Sequence, residues 1–116
     1  MAEYSFAHLG INAANAEEAR EAAKLLGLLF GFDADEGDSS IFVGERSIEL
    51  CKTPYLGAHG HIAIGTPDVA AAKAELEERG FTFNEDSAKY KPDGTLNAIY
   101  FTQEICGFAI HLVGKK

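Results

Sequence analysis

The run GHIAIGTPDVAAAKAELEERGF, Gly60 to Phe81, changes its apolar period at Thr66. Gly60–Gly65 alternates, so the spacing predicts a strand. Thr66 then stands as a predicted helix cap, with Pro67 at the first helical position and Asp68 next, both suited to an N-terminus. Val69, Ala72 and Leu76 share one helical face, and Gly80 stops the helix. The same strand–helix unit occurs upstream. Tyr4–Asn12 (YSFAHLGIN) is a predicted strand, Asn15 is placed to cap, and Glu18 follows three residues on in capping-box position. Ala19, Ala22, Ala23, Leu26, Leu29 and Phe30 give the helix an apolar face, and Gly31 is a left-handed terminator.

Strands follow both units. Ser39–Val43 and Ser47–Cys51 form a predicted hairpin around Gly44-Glu45-Arg46. In the second half Phe81–Phe83 alternates, Ser87–Asn97 reads as loop or edge strand, and Ala98–Thr102 and Phe108–Val113 flank a turn at Gln103–Gly107. Met1–Glu3 and Gly114–Lys116 read as loose ends. Residues 1–116 are thus expected to be one α+β domain of two modules, about 4–53 and about 60–114, each a strand, a helix and three strands. A ferredoxin-like βαββαβ sheet is the rival with the same helix count, but it has fewer strands.

Composition narrows the partners. The 116 residues are 47% hydrophobic and 24% charged, which argues for a packed core and against disorder. Ten Lys+Arg against 18 Asp+Glu give a net charge of −8, unfavourable to nucleic acid and anionic membrane. No apolar run approaches a membrane span, and no basic stretch leads into an apolar one at the N-terminus. Cys51 and Cys106 form no CxxC pair and no disulfide framework, as expected in a reducing, cytoplasmic compartment.

Four ionisable residues sit between apolar or small neighbours on predicted strands: His8, Glu49, His61 and His111. Because side chains alternate along a strand, these four face away from Leu9, Ile11, Ile48, Leu50, Ile62, Ile64, Ile110 and Leu112, which are expected to pack beneath the helices. His8 and His61 hold the same place in the first strand of each half, and Glu49 and His111 in the last. A single strand histidine is ordinarily a satisfied core or surface residue, and no HxxH or HExxH spacing is present. Four such residues at repeated positions on one face instead form a ligand set for Zn²⁺, Ni²⁺, Fe²⁺ or Mn²⁺.

At these residues the chain resembles the vicinal oxygen chelate superfamily of glyoxalase I, bleomycin-resistance proteins and extradiol dioxygenases. FAHLGIN (6–12) is similar to that family's first strand with its leading His, and SIELCK (47–52) to its strand bearing a ligand Glu. AHGHIAIGTPDVAAAKAELEERGF (58–81) resembles the start of the second module, and GFAIHLV (107–113) the last strand, with His111 where the family has Glu. The resemblance implies two βαβββ modules forming a curved eight-stranded mixed sheet around a cleft, helices on the outer face, with a divalent metal held by His8, Glu49, His61 and His111. It also implies a homodimer. A narrower likeness, carried by Thr53-Pro54-Tyr55-Leu56-Gly57 running into His61 and by GFAIHLV, is to the extra C-terminal domain of some bacterial 2-keto-3-deoxy-6-phosphogluconate aldolases.

Three functions compete. The first is a metal-dependent isomerase or lyase acting on a small 2-oxo or 2-hydroxy acid through a metal-stabilised enediolate, with Glu49 as catalytic base. The second is a non-catalytic small-molecule-binding or regulatory module associated with a sugar-acid aldolase. The third is an iron-dependent ring-cleaving dioxygenase using His8, His61 and Glu49. Glyoxalase I itself is disfavoured, because Glu49 is the only carboxylate left on the ligand face. Cys51 shares the face of Glu49, Phe6 and Phe101 are candidates for pocket wall or core, Lys89, Tyr90 and Lys91 for an anion-facing loop, and His59 for a solvated loop.

Overall fold

The computed structural model describes residues 2–115; Met1 and Lys116, part of the expected loose ends, lie outside them. The elements run β1 (Ser5–Asn12), α1 (Ala16–Phe30), β2 (Ala34–Glu36), β3 (Ser40–Val43), β4 (Ile48–Cys51), β5 (Gly60–Thr66), α2 (Val69–Glu78), β6 (Phe83–Tyr90), β7 (Leu96–Ile105) and β8 (Phe108–Gly114). Strand, helix and three strands occur twice, as expected. All eight strands form one mixed sheet in the order β2-β3-β4-β1-β5-β8-β7-β6. The order is symmetric about its centre. β1 and β5 pair antiparallel there, and each pairs in parallel with the last strand of its own half.

Helix α1 forms where its caps dictate. Asn15 accepts from the Glu18 N–H at 2.8 Å, Glu18 reaches back to the Ala14 N–H, and Gly31 closes the C-terminus at φ 73°. In α2 the cap is Asp68, which accepts from the Ala71 N–H at 3.0 Å, rather than the expected Thr66. Thr66 instead ends β5 and is buried at 1% exposure, because its carbonyl accepts the Lys115 N–H and extends the β5–β8 ladder. The ends described are also tied down. Ala2 donates to Glu75, and Gly114 belongs to β8.

Two strands exceed the expectation. The Ser87–Asn97 stretch, expected as loop or edge strand, is divided between the end of β6, a turn at Lys91–Gly94, and the start of β7, and the next turn closes only at Cys106-Gly107. β2 adds a three-residue edge strand of exposed residues against β3.

The helices lie on one face, each over the flank of its own half. Ala19 and Ala23 pack on Ile41, Val43 and Leu50; Val69 and Ala72 pack on Phe83, Ile99 and Leu112. Of the residues expected beneath the helices, Ile48, Leu50, Ile64 and Leu112 join these two cores, while Ile11 on central β1 remains 37% exposed. The reason is geometric: β1 and β5 run between the two helices, so their outer face is left uncovered. A bulge at Ala7 shifts the register so that Phe6 pairs with Ile64 on this outer face. Phe6 is therefore 61% exposed and is neither core nor cleft wall, and Phe101 packs on the second core. Among the described residues, no helix is long and apolar enough to cross a membrane.

Candidate metal centre

The opposite face of the sheet is concave and carries a cavity of about 450 Å³. Register alone brings the four ionisable residues to its floor. Gly10 lies opposite His61 across β1–β5 and beside Glu49 across β1–β4. His8 lies opposite Ala63, and Ala63 is beside His111 across β5–β8. His8 Nε2, His61 Nε2 and Glu49 Oε1 form a triangle with sides of 3.1, 3.2 and 3.1 Å. The ring of His111 completes the group, 5.0 Å from that of His61 and 5.8 Å from that of His8. One donor atom each from His8, His61 and His111 lies within 4.8 Å of the others.

The triangle needs a hydrogen or a cation between its atoms. Neutral imidazole offers one lone pair and carboxylate several, so three acceptors converging at this distance repel unless a proton or cation lies among them. Donor atoms around a tetrahedral Zn²⁺, at ~2.0–2.1 Å from the metal, would lie about 3.3 Å apart, close to the sides seen here. His111 adds an independent indication. It is buried at 8% exposure, and both ring nitrogens lack a hydrogen-bond partner among the described residues. Leaving a buried polar atom unpaired costs about 1–3 kcal/mol, so such atoms ordinarily have a partner. The donor set fits a borderline divalent cation of the zinc, nickel or iron type.

Local sequence makes room for this group. A Cβ at position 10 would stand 2.0 Å from Cε1 of His61, so only glycine there admits the imidazole. Ser40 on β3 donates to Glu49 Oε2 at 2.7 Å, leaving Oε1 turned toward the two imidazoles. Burial raises the Glu49 pKa, but hydrogen bonds from His61, His8 and Ser40 outweigh it and hold the carboxyl below its ordinary range. Burial, with His61 and His8 nearby, lowers His111 to about 3. Cys51 also lines the cavity, its thiol grouped with donor atoms of Glu49 and His61 within 4.8 Å of one another, and burial and then Glu49 push that thiol up to about 11.

Tyr100 was not singled out by sequence reasoning. It pairs with His111 across β7–β8 and stacks on it, ring centroids 4.5 Å apart and 17° from parallel. Burial, then the charge of Glu49, raises its pKa, so the phenol keeps its proton. The alternation Ala98-Ile99-Tyr100 placed a polar tip on the cleft face and was the available signal. His59 is exposed and packs on Phe108, away from the cluster. Lys89 lines the cavity, whereas Tyr90 is exposed and turned to a separate surface depression.

No family model matches this sequence, and no curated protein resembles it in sequence. Solved structures do resemble it in shape. A hypothetical protein from Bacillus halodurans C-125 matches with TM-score 0.69 and 15% identity, over 98% of this chain and 96% of that one. Methylmalonyl-CoA epimerase from Mycobacterium tuberculosis matches with TM-score 0.66 and 14% identity, over 96% of this chain and 87% of its own. The fold is that of the methylmalonyl-CoA epimerases. A variant of the Streptomyces coelicolor epimerase, bound to 2-nitronate-propionyl-CoA, agrees at TM-score 0.66 and 18% identity, over 96% of this chain and 94% of that one. At these identities the similarity is one of fold.

Proposed function

We propose that this chain is a divalent-metal-dependent isomerase that moves a proton on carbon next to a carbonyl group, with His8, Glu49, His61 and His111 as metal ligands. The observation carrying this reading is three imidazoles grouped on the floor of an open cavity, two of them beside the Glu49 carboxylate and the third with both nitrogens unpartnered among the described residues. When bound, the ion would polarise the carbonyl oxygen and acidify the neighbouring C–H.

The protein groups divide the remaining work. Oε1 of Glu49 faces the imidazoles, and Oε2, oriented by Ser40, is the oxygen that takes the proton. Tyr100 stands on β7, across β1, β5 and β8 from Glu49 on β4, so its phenol is placed to return a proton to the opposite face. Inversion follows: carboxylate becomes acid, phenol becomes phenolate, and both reset by exchange with water. The substrate class is a small acid, a 2-oxo or 2-hydroxy acid, rather than the CoA thioesters named for the epimerases of this fold. A cavity of about 450 Å³ lies at the small end of the range for ligand sites.

The binding-module reading has one observation in its favour. Glu49 is the only carboxylate lining the cavity among the described residues, so no second carboxylate base stands by. The likeness to the appended aldolase domain belongs to this reading. The dioxygenase reading is weaker, because an iron facial triad needs open positions and His111 stands at one of them.

Hydrogen exchange at the carbon beside the carbonyl, followed by NMR in D₂O with metal-loaded protein, separates these readings. Glu49→Gln keeps one oxygen ligand and removes the base, so exchange should fall 10²–10⁴-fold, roughly 3–5 kcal/mol of barrier. Tyr100→Phe keeps the stacked ring, so exchange should persist while inversion of configuration is lost. Exchange unchanged in Glu49→Gln contradicts the mechanism, and tight binding of an acid with no exchange favours the binding module.

A further inference from the structure

One end of the cavity carries polar groups that the proposed proton transfer does not use. Among the described residues, Lys89 is the only lysine or arginine lining it, and Lys89 enters no ion pair. Asn97 lines the same cavity, and its side chain likewise makes no hydrogen bond among the described residues. Ser87, also at this end, is already engaged: its hydroxyl donates to the Asn84 carbonyl and accepts the Tyr100 N–H.

Strand register fixes where this end lies. Lys89 is opposite Ala98 on β7, and Ala98 is opposite Val113 on β8. Tyr100 and His111 form the adjacent same-face row, two residues along. Lys89 therefore starts one row along and two strands across from His111, about 7 Å by about 10 Å on the sheet. Its flexible stem shortens the gap to the length of a small molecule. Ala98 and Val113 line the floor between on one side, with Tyr100 on the other.

Charge completes the argument. A protein of net charge −8 repels anions in general, so an anion entering this cleft needs a local cation. Glu49 supplies the cavity's negative charge at the floor and Lys89 its positive charge at the far end. One ammonium with one amide suits a singly charged carboxylate better than a dianionic phosphate.

We propose that Lys89 and Asn97 form the subsite for the remote carboxylate of a short dicarboxylic ligand whose other end lies at the His8–Glu49–His61–His111 cluster. The cavity then selects diacids over monoacids of the same chain length. The subsite rests on the functional reading only in placing the other end of the ligand at the cluster.

Calorimetric titration of Zn²⁺-loaded protein with 2-oxoglutarate and with 2-oxopentanoate tests it, since the two acids share a chain length and differ in the far carboxylate. Wild type should bind 2-oxoglutarate roughly tenfold more tightly, the size expected for a charge-assisted contact at a partly exposed site. Lys89→Gln, a change at an exposed position, should bring the ratio close to one by weakening 2-oxoglutarate alone. Equal affinities in wild type, an undiminished ratio in Lys89→Gln, or no binding of either acid overturns the proposal. Failure of the isomerase reading shows separately, as absent carbon–hydrogen exchange alongside an intact Lys89-dependent preference.

Discussion

Burying an imidazole with no partner for either nitrogen makes its protonation unfavourable, and His111 shows the consequence. Its pKa is lowered to about 3 in the fold, against an ordinary value near 6.5 when unfolded. Below pH ~6.5 the unfolded chain therefore binds a proton that the folded chain refuses. The sign is fixed: this contribution destabilises the fold as pH falls from ~6.5 toward 3, at up to about 1.4 kcal/mol per pH unit, and disappears above ~6.5. Urea unfolding in EDTA should show stability dropping between pH 6.5 and 5, with a shallower drop in His111→Gln. An equal slope in that variant would remove His111 as the cause. The four cluster residues were legible in the sequence because each stands between apolar neighbours on a strand. Tyr100 carries the same alternation between Ile99 and Phe101, but a strand tyrosine reads first as core, and its pairing with His111 is what sets it beside the cluster.

At the scale of elements, close approach of β1 to the His61 ring sets the geometry of the cluster. An alanine at position 10 meets no backbone conflict of the positive-φ kind but puts its Cβ into the imidazole. Gly10→Ala should thus displace the ring and abolish metal retention as fully as His61→Ala, while circular dichroism stays native. The expected stability loss is about 1–3 kcal/mol, typical of overpacking. Normal metal content in Gly10→Ala would show that the ring has another place to go. Two elements were hidden for physical reasons. β2 (Ala34–Glu36) has no buried residue and exists through its ladder to β3, its charges guarding an exposed edge. The α2 cap moved from Thr66 to Asp68 because pairing with β8 claimed Thr66 for the sheet, a tertiary effect that no local signal carries.

Across the whole molecule, the duplicated strand–helix–three-strand order was legible because two periodicity changes fall at matching places, Asn12–Ala16 and Thr66–Val69. The uncovered centre of the outer face was not, since it follows from where the helices settle. Phe6 and Ile11 are exposed there, and Leu28, Leu29 and Phe30 are exposed at the end of α1. A homodimer covers such a surface, and light scattering at micromolar concentration should give twice 12.5 kDa. A single 12.5 kDa species would contradict it. The cluster at the cleft floor is what gives the molecule its chemistry. Metal analysis of protein purified without a histidine tag tests it most directly. Close to one divalent ion per chain is expected in wild type, and little or none in His61→Ala and Glu49→Ala that remain folded. Metal content unchanged in both folded variants, or a wild type that takes up no divalent ion when supplied with one, would contradict it.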